Sequence, residues 1–175
     1  RCDSGDPIEN WNNHIEALKK HATFLNDHNF ESLVFKNSLG TDLNVGLPEG
    51  HIWMAANSLN KVRKTEFIAN IPTEEVFTMP HKDRVNGIVY ASKPLNYQGT
   101  LIDGFSIEFK DGKAIKVHAS DNQEVLENLI KVDDGACMLG EVALVGYDTP
   151  ISKSGILYYN TLFDENASCH LALGK

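Results

Sequence analysis

The sequence predicts a mixed fold, α/β or α+β, with helices flanking a mixed sheet. Three observations predict it. One amphipathic helical period runs from Pro7 to Asn26. Asp111-Gly112 lies between two runs of strand-forming residues and is the strongest hairpin signal in the chain. Short strand-like runs outnumber helical ones and are interleaved with them along the whole length.

The helix starts where capping chemistry allows it. Asp6 is a suitable cap, Pro7 suits the first helical position, and Glu9 stands three residues after the cap. Ile8, Trp11, Ile15, Leu18, Ala22 and Leu25 then recur at helical spacing. Ser32 to Phe35 reads as a strand, Asn37 to Gly40 as its turn, and Asp42 to Leu47 as the returning strand. Trp53 to Ala56 fits no single period. Thr65 to Pro80 is a series of short apolar pieces broken by Pro72 and Pro80. Gly87 to Ser92, Leu101 to Phe109 and Ala114 to His118 read as strands. Asn122 to Ile130 reads as a helix with Asp121 as its cap and Val125, Leu126, Leu129 and Ile130 on one face. Met138 to Val145 and Ile156 to Tyr159 are further strands by pattern, and Asn166 to Leu173 is apolar without a clear period.

The 175 residues make one domain or part of a larger one. Sixteen Lys and Arg against 24 Asp and Glu give a net charge of −8. That balance argues against nucleic acid as the main partner, which needs clustered basic surface. No run approaches the roughly 18–20 apolar residues of a membrane span, and no secretory signal is visible. The first residue is Arg1 rather than Met, and both ends read as cut. Cys2, Cys137 and Cys169 are odd in number and lack a C-x-x-C pair, which fits reduced thiols in a cytoplasmic protein.

Seven histidines invite a metal hypothesis. His14, His21 and His28 are spaced too far along one helix face to share an ion, at about 10 Å per step, and they read as surface or edge residues. His118, in a strand-like run, reads as structural. Loops for phosphate, dinucleotide or serine-nucleophile chemistry are missing from the sequence. Cys169 beside His170 makes a weak nucleophile pair, because adjacent side chains point apart. Three acidic sites inside apolar runs are more unusual. They are Glu74-Glu75, Glu141, and Asp164-Glu165 ahead of the run holding His170. A buried carboxylate needs a partner or a cation. Salt bridges and helix caps are one solution. A metal site of carboxylates and imidazole, suited to Zn²⁺, Co²⁺ or Mn²⁺, is the other.

At these residues the sequence resembles the aminopeptidase T family of metalloaminopeptidases, the PepS and AmpS group. Asn70 to Thr78 resembles its N-x-P-T-E-E-V-F-T motif. Leu139 to Val145 resembles its L-G-E-V-A-L-V motif. Asn160 to Gly174 resembles its N-T-L-F-D-E-N-A-x-C-H-x-A-L-G signature. Pro150-Ile151 and Ser154-Gly155 fit the intervening pattern. The match is strongest over residues 70–174, the region that carries the metal-site motifs, and looser over residues 1–60.

The resemblance implies part of the family's catalytic domain and a single segment, 1–175, incomplete at both ends. It implies removal of N-terminal residues from peptide substrates by a metal-activated water, with two divalent ions (zinc, cobalt or manganese). Glu75, Glu141 and His170 correspond to metal ligands. Glu165 corresponds to a further active-site carboxylate, either ligand or catalytic, and Glu74 is a weaker catalytic candidate. The family's remaining ligands, a tyrosine and a His-x-Asp pair, would lie beyond Lys175. A homodimer is implied for the whole enzyme. The competing expectation is a non-catalytic binding or structural fragment whose carboxylates are satisfied by salt bridges. Convergence of Glu75, Glu141, Glu165 and His170 would separate the two.

Overall fold

In the computed structural model, which describes residues 1–2 and 4–174, local sequence chemistry sets most of the boundaries. Helix α1 spans Pro7–His28. The Asp6 carboxylate accepts the Ile8 N–H at 2.8 Å, which satisfies one donor that the first turn leaves free. Asn29, in the left-handed region at φ 45°, ends the helix by donating its N–H to Leu25. The buried stripe is Ile15, Leu18 and Ala22.

Strands β1 (Ser32–Lys36) and β2 (Asp42–Gly46) form a hairpin. The Asn37 side chain holds its turn by accepting the N–H groups of Leu39 and Thr41. Strands β3 (Asn57–Leu59) and β4 (Glu66–Ile68) pair only with each other, and β5 (Glu75–Thr78) follows. Strand β6 (Val85–Tyr90) precedes a second small hairpin, β7 (Leu95–Tyr97) with β8 (Thr100–Ile102). Strands β9 (Ser106–Lys110) and β10 (Lys113–His118) meet through Asp111-Gly112, whose φ values of 49° and 82° suit a two-residue hairpin turn. Helix α2 (Gln123–Leu129), strand β11 (Leu139–Val145), short helices α3 (Pro150–Ser154) and α4 (Thr161–Glu165), and strand β12 (His170–Leu173) complete the order.

Two sheets organise the chain. One has the strand order β1-β2-β6-β9-β10, and the other β12-β11-β5. All described strand pairs are antiparallel, which places the expected mixture of helix and sheet on the α+β side. The core joins both sheets to α1 and α2. Leu18 and Ala22 meet Val76 and Val142, and Leu43, Val45, Trp53, Val85, Phe109 and Leu126 continue the cluster. No described helix is long and apolar enough to cross a membrane.

Three expectations need correction. Leu101 to Phe109 is not one strand, because the chain turns at Gly104, at φ 55°, and splits it into β8 and β9 in different sheets. Asp121 does not cap α2. Asn122 occupies the cap position at φ 55°, while Asp121 is drawn into a backbone bridge with Asp103. Ile156 to Tyr159 is not a strand either. The Asp164 carboxylate accepts the N–H groups of Tyr158 and Asn160 at 2.8 and 3.0 Å, so the segment satisfies these donors locally instead of through a ladder.

Gly87 lies within the larger sheet opposite Leu43, at φ +116°. A Cβ there would stand 2.1 Å from the Asp42 carbonyl oxygen. Gly87→Ala should therefore lower stability by at least about 2 kcal/mol, combining backbone strain with overlap. Thermal denaturation reads this directly, and an unchanged midpoint would contradict it.

Candidate metal centre

The three-stranded sheet builds the site through its registers. Strand β11 is central. Ala143 pairs with Phe77 on one side and His170 on the other, Val145 pairs with Glu75, and Glu141 with Ala172. Side chains alternate across a sheet and paired residues share a face. Glu75, Glu141 and His170 therefore lie on one face, contributed by β5, β11 and β12 respectively. The opposite face carries Val76 and Val142 into the core beneath α1.

One ligand atom from each of Glu75, Glu141 and His170 lies within 4.8 Å of the other two. The His170 Nε2 is 2.8 Å from a Glu75 oxygen and 3.9 Å from a Glu141 oxygen. No Lys or Arg pairs with Glu75 or Glu141 among the described residues. The other ring nitrogen, Nδ1, is 3.1 Å from the Ser168 carbonyl. Donation of an Nδ1 proton to that carbonyl turns Nε2 toward the carboxylates, an arrangement typical of metal-ligating imidazoles.

The donor set fits a divalent cation. The Nε2 of His170 and the Oε2 of Glu75 are both buried and face one another at 2.8 Å, with no hydrogen-bond partner outside this pair. Two acceptors facing one another need a proton or a cation between them. Nitrogen and oxygen donors without thiolate suit zinc, cobalt or manganese. The Cys169 sulfur turns away to the end of β11, where it accepts the Val145 N–H at 3.4 Å.

The electrostatics point the same way. Burial raises the Glu141 carboxyl, and the Glu75 charge raises it further, against the opposing effect of His170. Burial also raises Glu165, with His170 opposing and Glu75 and Glu141 adding. Burial alone would lower the His170 imidazole, but Glu75, the Ser168 carbonyl and the Glu165 charge outweigh it, and the net shift is upward.

The structure thus brings Glu75, Glu141 and His170 together. It sets Glu165 near enough to share their field, outside the group of three. It takes Glu74 elsewhere. Adjacent strand residues face opposite ways, and Glu74 is buried against α1. There the Arg1 guanidinium holds both its oxygens at 2.8 and 2.9 Å. His14, expected at the surface, closes this cluster, with Nε2 2.7 Å from the Thr73 carbonyl and 3.4 Å from Glu74. A groove of about 480 Å³ adjoins the cluster, on the face opposite the metal-ligand set. A recess of about 80 Å³, lined by Met54, Ala56, Asn70 and Phe77, adjoins Glu75 itself.

Sequence reasoning gave no role to Asn166. It is fully buried, accepts the Glu74 N–H at 2.7 Å, and donates to the Leu162 carbonyl at 2.8 Å. Its only sequence signal is a polar residue inside an apolar run.

The fold and this face define a candidate metal centre of two carboxylates and one imidazole, carried on three antiparallel strands. The chain belongs to the Thermophilic metalloprotease (M29) family, which matches residues 1–175. It is 51% identical to Aminopeptidase 2 of Geobacillus stearothermophilus and 47% identical to Aminopeptidase T of Thermus thermophilus, in both cases over 100% of the chain. It spans 42% of the length of each. The solved structure of wild-type AmpT from Thermus thermophilus superposes with a TM-score of 0.91 at 48% identity, over 96% of this chain and 42% of that one. A 2,5-dihydroxypyridine dioxygenase from Pseudomonas putida shares the fold alone, with a TM-score of 0.52 at 17% identity over 73% of this chain and 37% of that one.

Proposed function

We propose that the chain is the central, metal-binding segment of a cytoplasmic metal-dependent aminopeptidase that removes N-terminal residues from peptides. The single observation that carries this reading is the convergence of Glu75, Glu141 and His170, one ligand atom of each within 4.8 Å of the others. In this reading the three residues are ligands of one divalent ion, and Glu165 is a carboxylate for a second. Zinc, cobalt and manganese all suit the donors. The relatives' printed names, aminopeptidases throughout, support peptides as substrates. The whole enzyme is a homodimer in this reading.

A divalent cation held there supplies Lewis acidity toward a peptide carbonyl and makes a water acidic enough to attack near neutral pH. The chain's own residues supply the rest. The carbonyl of Ser168 fixes the His170 ring through Nδ1. Glu165, raised by burial and outside the group of three, is suited to accept the water proton and return it to the leaving amine. Glu74, tied to Arg1, holds the entry to β5 instead of handling protons.

The test is hydrolysis of a leucine chromogenic amide by the whole enzyme, with Zn²⁺ or Co²⁺ and then with EDTA. Expected is a metal-dependent rate that EDTA abolishes and Glu141→Gln lowers by more than about 100-fold, since a ligand should matter more than the outer-shell groups that cost 10–100-fold. Hydrolysis that proceeds equally well without metal, or survives in the variant, would overturn the reading.

A further inference from the structure

We infer that Asn166 is a positioning residue for the metal centre, a buried tie that fixes Glu75 relative to the segment carrying Glu165 and His170. The inference rests on the metal-site reading above and concerns how the site is held in shape.

Strands β5 and β12 do not touch as neighbours in the sheet, since both pair with β11 from opposite sides. Through the ladder alone, the spacing between Glu75 and His170 depends on two sets of pairings. The first rung from β5 is the Glu75–Val145 pair, at the end of the β5 ladder, where strand ends fray most readily. Asn166 bypasses the ladder. Its Oδ1 accepts the N–H of Glu74, the residue directly before Glu75, at 2.7 Å. Its Nδ2 donates to the Leu162 carbonyl at 2.8 Å, in the helix that carries Glu165. Four residues later the same chain enters β12 at His170. One side chain thus connects the backbone beside one ligand with the backbone beside two other site residues.

The chemistry of asparagine is needed for this. The side chain must accept at one atom and donate at another, without charge, at a position with no solvent exposure. An aspartate would bring a negative charge between Glu74 and Glu165. An alanine would leave the Glu74 N–H buried without an acceptor, and the backbone would shift to find one. A ligand set must be held within about 0.5 Å of its working geometry, so such a shift at residue 74 is felt at Glu75.

The experiment measures Zn²⁺ affinity of the whole enzyme by competition with a chromogenic chelator, for the wild type, Asn166→Ala and Leu126→Ala. Leu126 is fully buried in α2, away from the site, and is a control for lost stability. The expected result is a 10–100-fold weaker affinity in Asn166→Ala, with wild-type affinity in folded Leu126→Ala. A second measurement needs no variant. Linkage is reciprocal, so saturating Zn²⁺ should slow exchange of the Glu74 amide proton in the wild type. Unchanged affinity in folded Asn166→Ala overturns the inference alone, as does a Glu74 amide indifferent to Zn²⁺. A wild-type enzyme that takes up no Zn²⁺ overturns the metal-site reading and the inference together.

Discussion

Replacing Glu75 by glutamine should leave the fold standing and, in the proposed site, weaken divalent-metal binding by more than about 100-fold, beyond what loss of an outer-shell partner costs. Glutamine has nearly the same shape, so the packing around residue 75 is kept. What changes is charge and donor strength. The neutral amide oxygen is a poorer ligand, and Glu75 is the carboxylate nearest His170 Nε2. The pH dependence follows from the same contact. In the metal-free protein the His170 pKa is raised, after the lowering effect of burial has been overcome. The protonated ring then adds stability that is fully present below its unfolded value of about 6.5 and is lost as pH rises through the folded value. Glu141, also raised, acts in the same sense in the carboxylate range. Metal binding opposes both, because ligands must shed their protons. Affinity should fall as pH drops through the raised His170 value, and calorimetry in buffers of different ionisation enthalpy should show proton release. In Glu75→Gln the main attraction holding that proton is gone, so the His170 titration, followed by NMR, should move downward. Wild-type metal affinity in the variant would remove Glu75 from the ligand set.

Arg1→Ala should cost about 3 kcal/mol, the low end for stripping one partner from a buried ion pair. The Glu74 side chain is only 3% exposed and loses both of its guanidinium contacts. The guanidinium also lies 5.3 Å from the Trp11 ring centre, a contact that disappears with it. His14 moderates the loss. Its pKa is lowered in the wild type, mainly by burial and partly by Arg1, against the raising effects of the Thr73 carbonyl and Glu74. In the wild type a lowered folded value means stability falls as pH drops below about 6.5. Without Arg1 the His14 value rises, and a protonated ring becomes the partner of Glu74. The gap in melting temperature between variant and wild type should narrow between about pH 8 and pH 5.5, a range that spans the ordinary histidine value. A gap that stays constant would show that His14 does not take over.

Local chemistry explains what could be read from the sequence. The Asp6-Pro7 start, the Leu18–Ala22 stripe and the Asp111-Gly112 turn each depend on a few neighbouring residues, and each is found in the structure. The β11 run was legible because seven consecutive residues have few alternatives. Strand β5 was not, since four residues between Pro72 and Pro80, opening on one of two adjacent charges, show too short a period. The two glutamates at 74 and 75 must face opposite ways, yet nothing local says which faces the core. The family resemblance, not periodicity, favoured Glu75. His14, expected at the surface or an edge, is half-buried, and its contacts were not legible because its partners, Arg1, Thr73 and Glu74, come from distant parts of the chain. Asn166 is in the same position, meeting Glu74 across 92 residues. Contacts of this kind belong to the tertiary fold, and no spacing rule announces them.

Each of the three converging side chains comes from a different strand, and those strands make up the whole of the smaller sheet. An ion gripped there acts as a rivet through all three. Anything that binds only the folded chain stabilises it by mass action, by about 4 kcal/mol when the free ion is a thousandfold above its dissociation constant. Removing such an ion would then cost the fold as well as the site. It would loosen the strand edges, and proteases would find them first.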